Sequence, residues 1–127
     1  MRAADVPSGV VVVGVGFRPG TGADRIVAAV RAVLGTGDCR CLATVDRRAG
    51  EPGLREAATR LGLPVRAFPP AELAEVEVPH PCARAAAATG TASVAEAAAI
   101  LAAGGGPLVR AKSVHDGVTV ALARPAT

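Results

Sequence analysis

The chain has 127 residues, half of them apolar but only two aromatic (Phe17 and Phe68), and a formal net charge of +3. That length argues for one domain able to bury a core without disulfides or metal, and the core must be built from Val, Leu, Ile and Ala. The positive charge is dispersed and Trp and Tyr are absent. This excludes the concentrated basic face and stacking platform of a nucleic-acid binder and suits a modest anionic ligand.

Three cysteines, Cys39, Cys41 and Cys82, are an odd number, and the first two are too close for an easy bridge. Free thiols in a reducing compartment are expected. The Cys-x-Cys pair has no second pair or nearby His to complete a tetrahedral site, so no metal and no cofactor are expected. The start of the chain lacks the long apolar region of a secretory signal. No run of about 18 apolar residues exists to span a membrane. A cytoplasmic protein follows as the expectation.

In chain order, residues 1–8 read as a loose start. Val10 to Val15 is a continuous β-branched run, the pattern of a strand buried on both faces. It enters the glycine-rich segment Gly14-Val15-Gly16-Phe17-Arg18-Pro19-Gly20-Thr21-Gly22. A helix follows, with Ile26, Val30, Val33 and Leu34 on one face, Thr21 as its N-cap and Asp24 at its positive end. Gly35 and Gly37 end it. Cys41 to Val45 predicts a second strand and Asp46 to Gly53 a polar loop. Pro52 opens a helix whose buried stripe is Leu54, Ala57, Ala58 and Leu61, capped by Gly62. Val65 to Phe68 is a third strand, and Ala71 to Glu75 a short helix.

Residues 76–92 read as a loop with a helical piece. Ser93-Val94-Ala95-Glu96 has the form of a capping box, opening a helix that buries Val94, Ala97, Ala98 and Leu101 and stops at Gly104 to Gly106. Leu108 to Ala111 and Val118 to Ala123 are strands joined by a loop around His115 to Gly117, with an antiparallel hairpin as one reading. Residues 125–127 read as a loose end. The alternation predicts an α/β single layered domain over 1–127, with a mixed, mostly parallel sheet flanked by helices.

In an open α/β sheet, ligands bind beyond the carboxyl ends of the strands. Backbone amides of the first glycine loop and a helix N-terminus could there hold an anion, with Arg18 supplying formal charge. The alternative is a turn needed only for chain reversal. The loop is no Walker A, since no Lys-Ser/Thr follows its last glycine, and its third glycine is misplaced for a dinucleotide fingerprint. Arg47 and Arg48, in the second polar loop, could hold carboxylates, or Arg48 and Glu51 could form a surface pair of little value. Gly90, Thr91 and Ser93 repeat the loop-and-helix arrangement of the first site. Lys112 and His115 follow the fourth strand. Glu96 fits a cap better than a catalytic acid. His80, His115 and Cys82 fit structural or solvated roles better than chemistry.

Four segments carry a resemblance: Gly14 to Thr21, Arg48-Ala49-Gly50-Glu51-Pro52-Gly53-Leu54, Gly90-Thr91-Ala92-Ser93-Val94-Ala95-Glu96-Ala97-Ala98, and Lys112 with Gly117-Val118-Thr119-Val120-Ala121-Leu122-Ala123-Arg124. In this order and spacing they resemble the signature blocks of CobE and the C-terminal domain of CbiG, the cobalt-precorrin-5A hydrolase. The resemblance implies a role in cobalamin (corrin-ring) biosynthesis. Full-length CbiG opens a ring lactone and releases acetaldehyde; this chain is similar to its C-terminal part, so a stand-alone CobE-type protein is expected. The family often has Cys where Phe17 stands and Lys where Arg48 stands. A thiol role at the first position is thereby excluded, and Arg cannot serve as a proton-transfer base at neutral pH.

Corrin intermediates carry acetate and propionate carboxylates around an apolar ring. The expected ligand-binding set is Gly14, Gly16, Arg18, Gly20, Thr21, Arg48, Glu51, Gly90, Thr91, Ser93 and Lys112. The first expectation is a non-catalytic protein that binds a precorrin or corrin intermediate. The second is hydrolysis of a precorrin lactone, with a water-activating group among Glu51, Glu96 and His115. The third is a non-catalytic partner subunit of another cobalamin-pathway enzyme. Neither nucleic acid nor membrane is an expected partner.

Overall fold

A computed structural model describes residues 10–35, 38–76 and 94–125. Among these residues five strands and five helices follow in the order β1 (Val10–Gly16), α1 (Ala23–Leu34), β2 (Asp38–Val45), α2 (Asp46–Ala49), α3 (Pro52–Leu61), β3 (Val65–Phe68), α4 (Pro70–Ala74), α5 (Val94–Ala102), β4 (Leu108–His115) and β5 (Val118–Ala123). The sheet order is β3-β2-β1-β5-β4. β1, β2 and β3 pair in parallel, while β5 is antiparallel to both β1 and β4. The direction of β4 therefore agrees with that of β1, and only β5 runs against the others. The sheet is mixed and mostly parallel, as the alternation predicts.

The pleat of β1 sorts the core. Val11, Val13 and Val15 pack with Ile26, Val30 and Val33 of α1 and Leu54, Ala57 and Ala58 of α3. Val12 points the other way, toward Ala98, Ala99 and Ala102 of α5 and Leu73 of α4. Successive side chains of a strand face opposite ways, so the unbroken valine run supplies both layers. Gly14 lies on the α5 side, where a Cβ would collide with the Ala95 carbonyl. With glycine facing alanines, α5 lies close against the sheet.

Several elements depart from the sequence pattern. The segment 46–53 is not all loop: Asp46–Ala49 forms a helical turn, with Asp46 at its positive end. Thr21 does not cap α1, which starts two residues later behind Gly22. Its hydroxyl instead donates to the Arg18 carbonyl at 2.7 Å, closing the preceding loop on itself. On α5, Val94 and Leu101 are only partly buried, while Ala95, Glu96 and Ala99 are buried, because strands and α4 cover more of this helix than one stripe. β4 continues to His115, and a two-residue turn, Asp116 (φ 54°) and Gly117 (φ 84°), joins it to β5. Both residues have the left-handed backbone of a type I′ hairpin turn, which Asp-Gly favours. The Ser93 half of the capping box, His80 and Cys82 lie outside the described residues.

Cys39 and Cys41 do not form a vicinal pair. Against Val11 and Val13 of β1, the partners are Cys39 and Leu42, so β2 carries an extra residue between them. The bulge sends Cys39 to the α1 side of the sheet and Cys41 to the α5 side. Among the described residues no cluster of His, Cys, Asp and Glu could hold a metal ion, and no helix is long and apolar enough to cross a membrane.

Candidate functional site

The site forms where β1 ends between β2 and β5. α1 carries the chain from β1 to β2 on one side, and the hairpin strand β5 lies on the other. Such a divergence of connections opens a crevice at the carboxyl end of the sheet. A cleft of about 780 Å³ occupies it. One wall is the loop Phe17-Arg18-Pro19-Gly20-Thr21, with Arg25 of α1. The other is Lys112, Ser113 and Val114 of β4, with Gly117 and Thr119 of the hairpin. Arg18, Arg25 and Lys112 bring positive charge, and among the described residues no acidic one lines the cleft. Gly20 reaches φ 84°, a backbone open to glycine at little cost.

The loop is held from behind by α2 and α3. Arg48 Nε donates to the Phe17 carbonyl at 3.0 Å. The Gly20 amide donates to Glu51 Oε1 at 3.1 Å. Gly53, in the first turn of α3, lies so close to Thr21 that a Cβ would overlap the Thr21 carbonyl oxygen. Arg48 and Glu51 are thus not a surface pair. Each takes one end of the first loop, and together they fix the arc on which Arg18 stands. This is a packing reason for the segment Arg48-Ala49-Gly50-Glu51-Pro52-Gly53 to accompany the first glycine loop.

On the opposite wall, β4 is irregular. Arg110 pairs with Leu122 and Ser113 with Val120, so β4 spends one residue more than β5 over this interval. A bulge of this kind leaves an amide outside the ladder and re-aims side chains. Here the Lys112 amide donates to Glu96 Oε2 of α5 at 3.0 Å. Glu96 is fully buried. The sequence pattern assigns Glu96 a bond to its own helix start; the structure sends one carboxylate oxygen across to the edge strand.

Of the residues expected from the sequence, Arg18, Gly20, Thr21 and Lys112 meet in the cleft. Gly16 pairs with Thr119 beneath it. Arg48 and Glu51 support the loop, and Gly14 sits mid-strand under α5. Gly90, Thr91 and Ser93 lie outside the described residues. Glu51, Glu96 and His115 do not line the cleft, and His115 Nε2 is 3.0 Å from Ser113 Oγ. Arg25 was not foreseen. Its signal is its place in the first turn of the helix after the glycine loop; its Nε lies 3.4 Å from Asp116 Oδ2 in the hairpin turn. Thr119, another unforeseen residue, is 7% exposed, and the pleat places it beside Gly16.

The positions of the thiols disfavour chemistry. Burial pushes the Cys39 thiol up to about 11, with backbone hydrogen bonding at Cys41 working in the other direction; Cys39 Sγ also donates to the Cys41 carbonyl at 3.2 Å, which favours the protonated thiol. Burial also raises Cys41, with Arg66 and Arg40 working in the other direction.

This architecture defines a small α/β protein with a cationic cleft at the carboxyl end of a mixed sheet. The family model described as "Cobalamin synthesis G C-terminus" matches residues 11–123. Protein CobE from Sinorhizobium sp. is 36% identical over 126 residues, covering 92% of this chain and 81% of that protein. The crystal structure of CobE, a protein from the cobalamin (vitamin B12) biosynthetic pathway, superposes with a TM-score of 0.78 at 37% identity, covering 96% of this chain and 94% of that one. The cobalamin biosynthesis protein chiG from Agrobacterium tumefaciens gives a TM-score of 0.71 at 36% identity, covering 92% of this chain and 99% of that one. The chain belongs to the cobalamin synthesis G C-terminal family, and is a cobalamin-biosynthesis protein of the CobE and CbiG C-terminal type.

Proposed function

We propose that the cleft binds a precorrin or corrin intermediate by its peripheral carboxylates and that the protein carries or presents this ligand without transforming it. The observation that carries the reading is the charge of the lining: among the described residues, three cations from three separate segments and no acidic residue. A corrin intermediate bears acetate and propionate groups spread around its rim, so cations on opposite walls match it better than a single clustered anion site would. Arg18 and Arg25 present planar forks suited to carboxylates, and Lys112 a point charge. The cleft volume falls within the range of small-molecule sites, about 300–1,000 Å³. The family's place in cobalamin biosynthesis gives the ligand class.

Titration of the purified protein with hydrogenobyrinic acid, followed by absorbance, is expected to saturate with a Kd in the micromolar range or tighter, about −8 kcal/mol or better. Arg18→Ala is expected to weaken it about ten- to a hundredfold, the worth of one charge-assisted hydrogen bond. A folded protein that binds neither this corrin nor a precorrin would overturn the reading and favour a partner-subunit role.

A further inference from the structure

A buried carboxylate stands behind the cleft without lining it. Glu96 is 0% exposed, on a helix whose other buried residues are all alanines. Removing a carboxylate from water is expensive unless hydrogen bonds or charges compensate. Its Oε2 accepts from the Lys112 amide at 3.0 Å, within the bulge where β4 has one residue too many for β5. Lys112 itself lines the cleft. The helix carrying Glu96 cannot drift: Gly14 of β1 lies against Ala95, and even a Cβ at Gly14 would strike the Ala95 carbonyl. A fixed helix thus holds one of the irregular points of an edge strand, and that point carries a cation of the cleft.

We infer that Glu96 is a positioning residue, whose carboxylate anchors the β4 bulge so that Lys112 meets the ligand's carboxylates. The inference rests on the corrin-binding reading of the cleft. In this role Glu96 acts on the ligand through Lys112 and not as an acid or base. An amide acceptor serves the same geometry, so Glu96→Gln keeps the anchor, whereas Glu96→Ala takes this acceptor from the bulge amide.

The test is a double-substitution cycle on the full chain, with hydrogenobyrinic acid as probe and thermal unfolding as the check on folding. Glu96→Ala is expected to weaken binding about tenfold in the wild-type background and to have no further effect in Lys112→Ala, the non-additivity of residues acting as one unit. Glu96→Gln is expected to bind within about twofold of wild type. If Glu96→Ala does not fold, Glu96→Asp, which draws the carboxylate back by one methylene, takes its place in the cycle. Equal losses with and without Lys112 would overturn the positioning role while leaving the corrin reading intact. A wild-type protein that does not bind would overturn that reading and this role with it.

Discussion

Gly53→Ala puts the junction between the two loops to a direct trial. In an ordinary helix this substitution adds up to about 1 kcal/mol of stability, because alanine has less backbone freedom to lose. At Gly53 the new Cβ would overlap the Thr21 carbonyl oxygen and approach the Thr21 carbonyl carbon to 3.2 Å and the Ala23 nitrogen to 3.4 Å. All three atoms are backbone, so no side-chain rotation relieves the contact; α3 must move off the first loop. Overpacking of this kind costs about 3 kcal/mol at the upper end of its range. The net expectation is a loss of about 2 kcal/mol, read as a fall in Tm of roughly 6–12 °C for a domain of this size. The control is Gly50→Ala, three residues away, where φ is −89° and no heavy atom lies within 4 Å of the added Cβ. It should change stability by no more than about 0.5 kcal/mol. Calorimetry on the two variants decides the matter. A Gly53→Ala protein as stable as wild type would refute the claim that α3 presses on the loop.

Asp116→Asn keeps a residue suited to the left-handed turn and removes the anion beside Arg25. Binding of hydrogenobyrinic acid should tighten about two- to threefold at low salt, with the gain fading as salt is added; unchanged affinity at low salt would count against Arg25 as a ligand contact. Cys39 gives a pH dependence. Its folded thiol, pushed up to about 11, keeps a proton that the unfolded chain releases near pH 9. The folded state therefore binds more protons in that window, and its stability should fall as pH rises from about 9 to 11. Cys39→Ala should flatten this part of a denaturant-midpoint curve, and a wild-type curve already flat there would contradict the burial of the thiol.

The layered fold is legible in the sequence because its signals are local. The valine run, the Pro52 and Gly62 helix boundaries and the Val118–Ala123 strand each declare themselves within a few residues. The site is legible where glycine and charge stand together, at Arg18, Gly20 and Thr21. Arg48 and Glu51 were harder to assign because their hydrogen bonds each span 31 residues, and no local spacing reports a partner so distant. Arg25 carries no special motif and acquires its place only when the hairpin turn folds against α1. The role of Glu96 is hidden for another reason: its N-terminal position in the helix suits a cap, whereas the amide it receives exists because of a bulge in an edge strand. Register irregularities leave no composition signature. The same is true of the bulge that parts Cys39 from Cys41.

The structure of the protein bound to hydrogenobyrinic acid is the most direct measurement. Corrin carboxylates are expected within hydrogen-bond distance of Arg18, Arg25 and Lys112, with the ring lying between the first loop and the β4–β5 hairpin. A corrin seated elsewhere, with these three side chains facing water, would contradict that expectation.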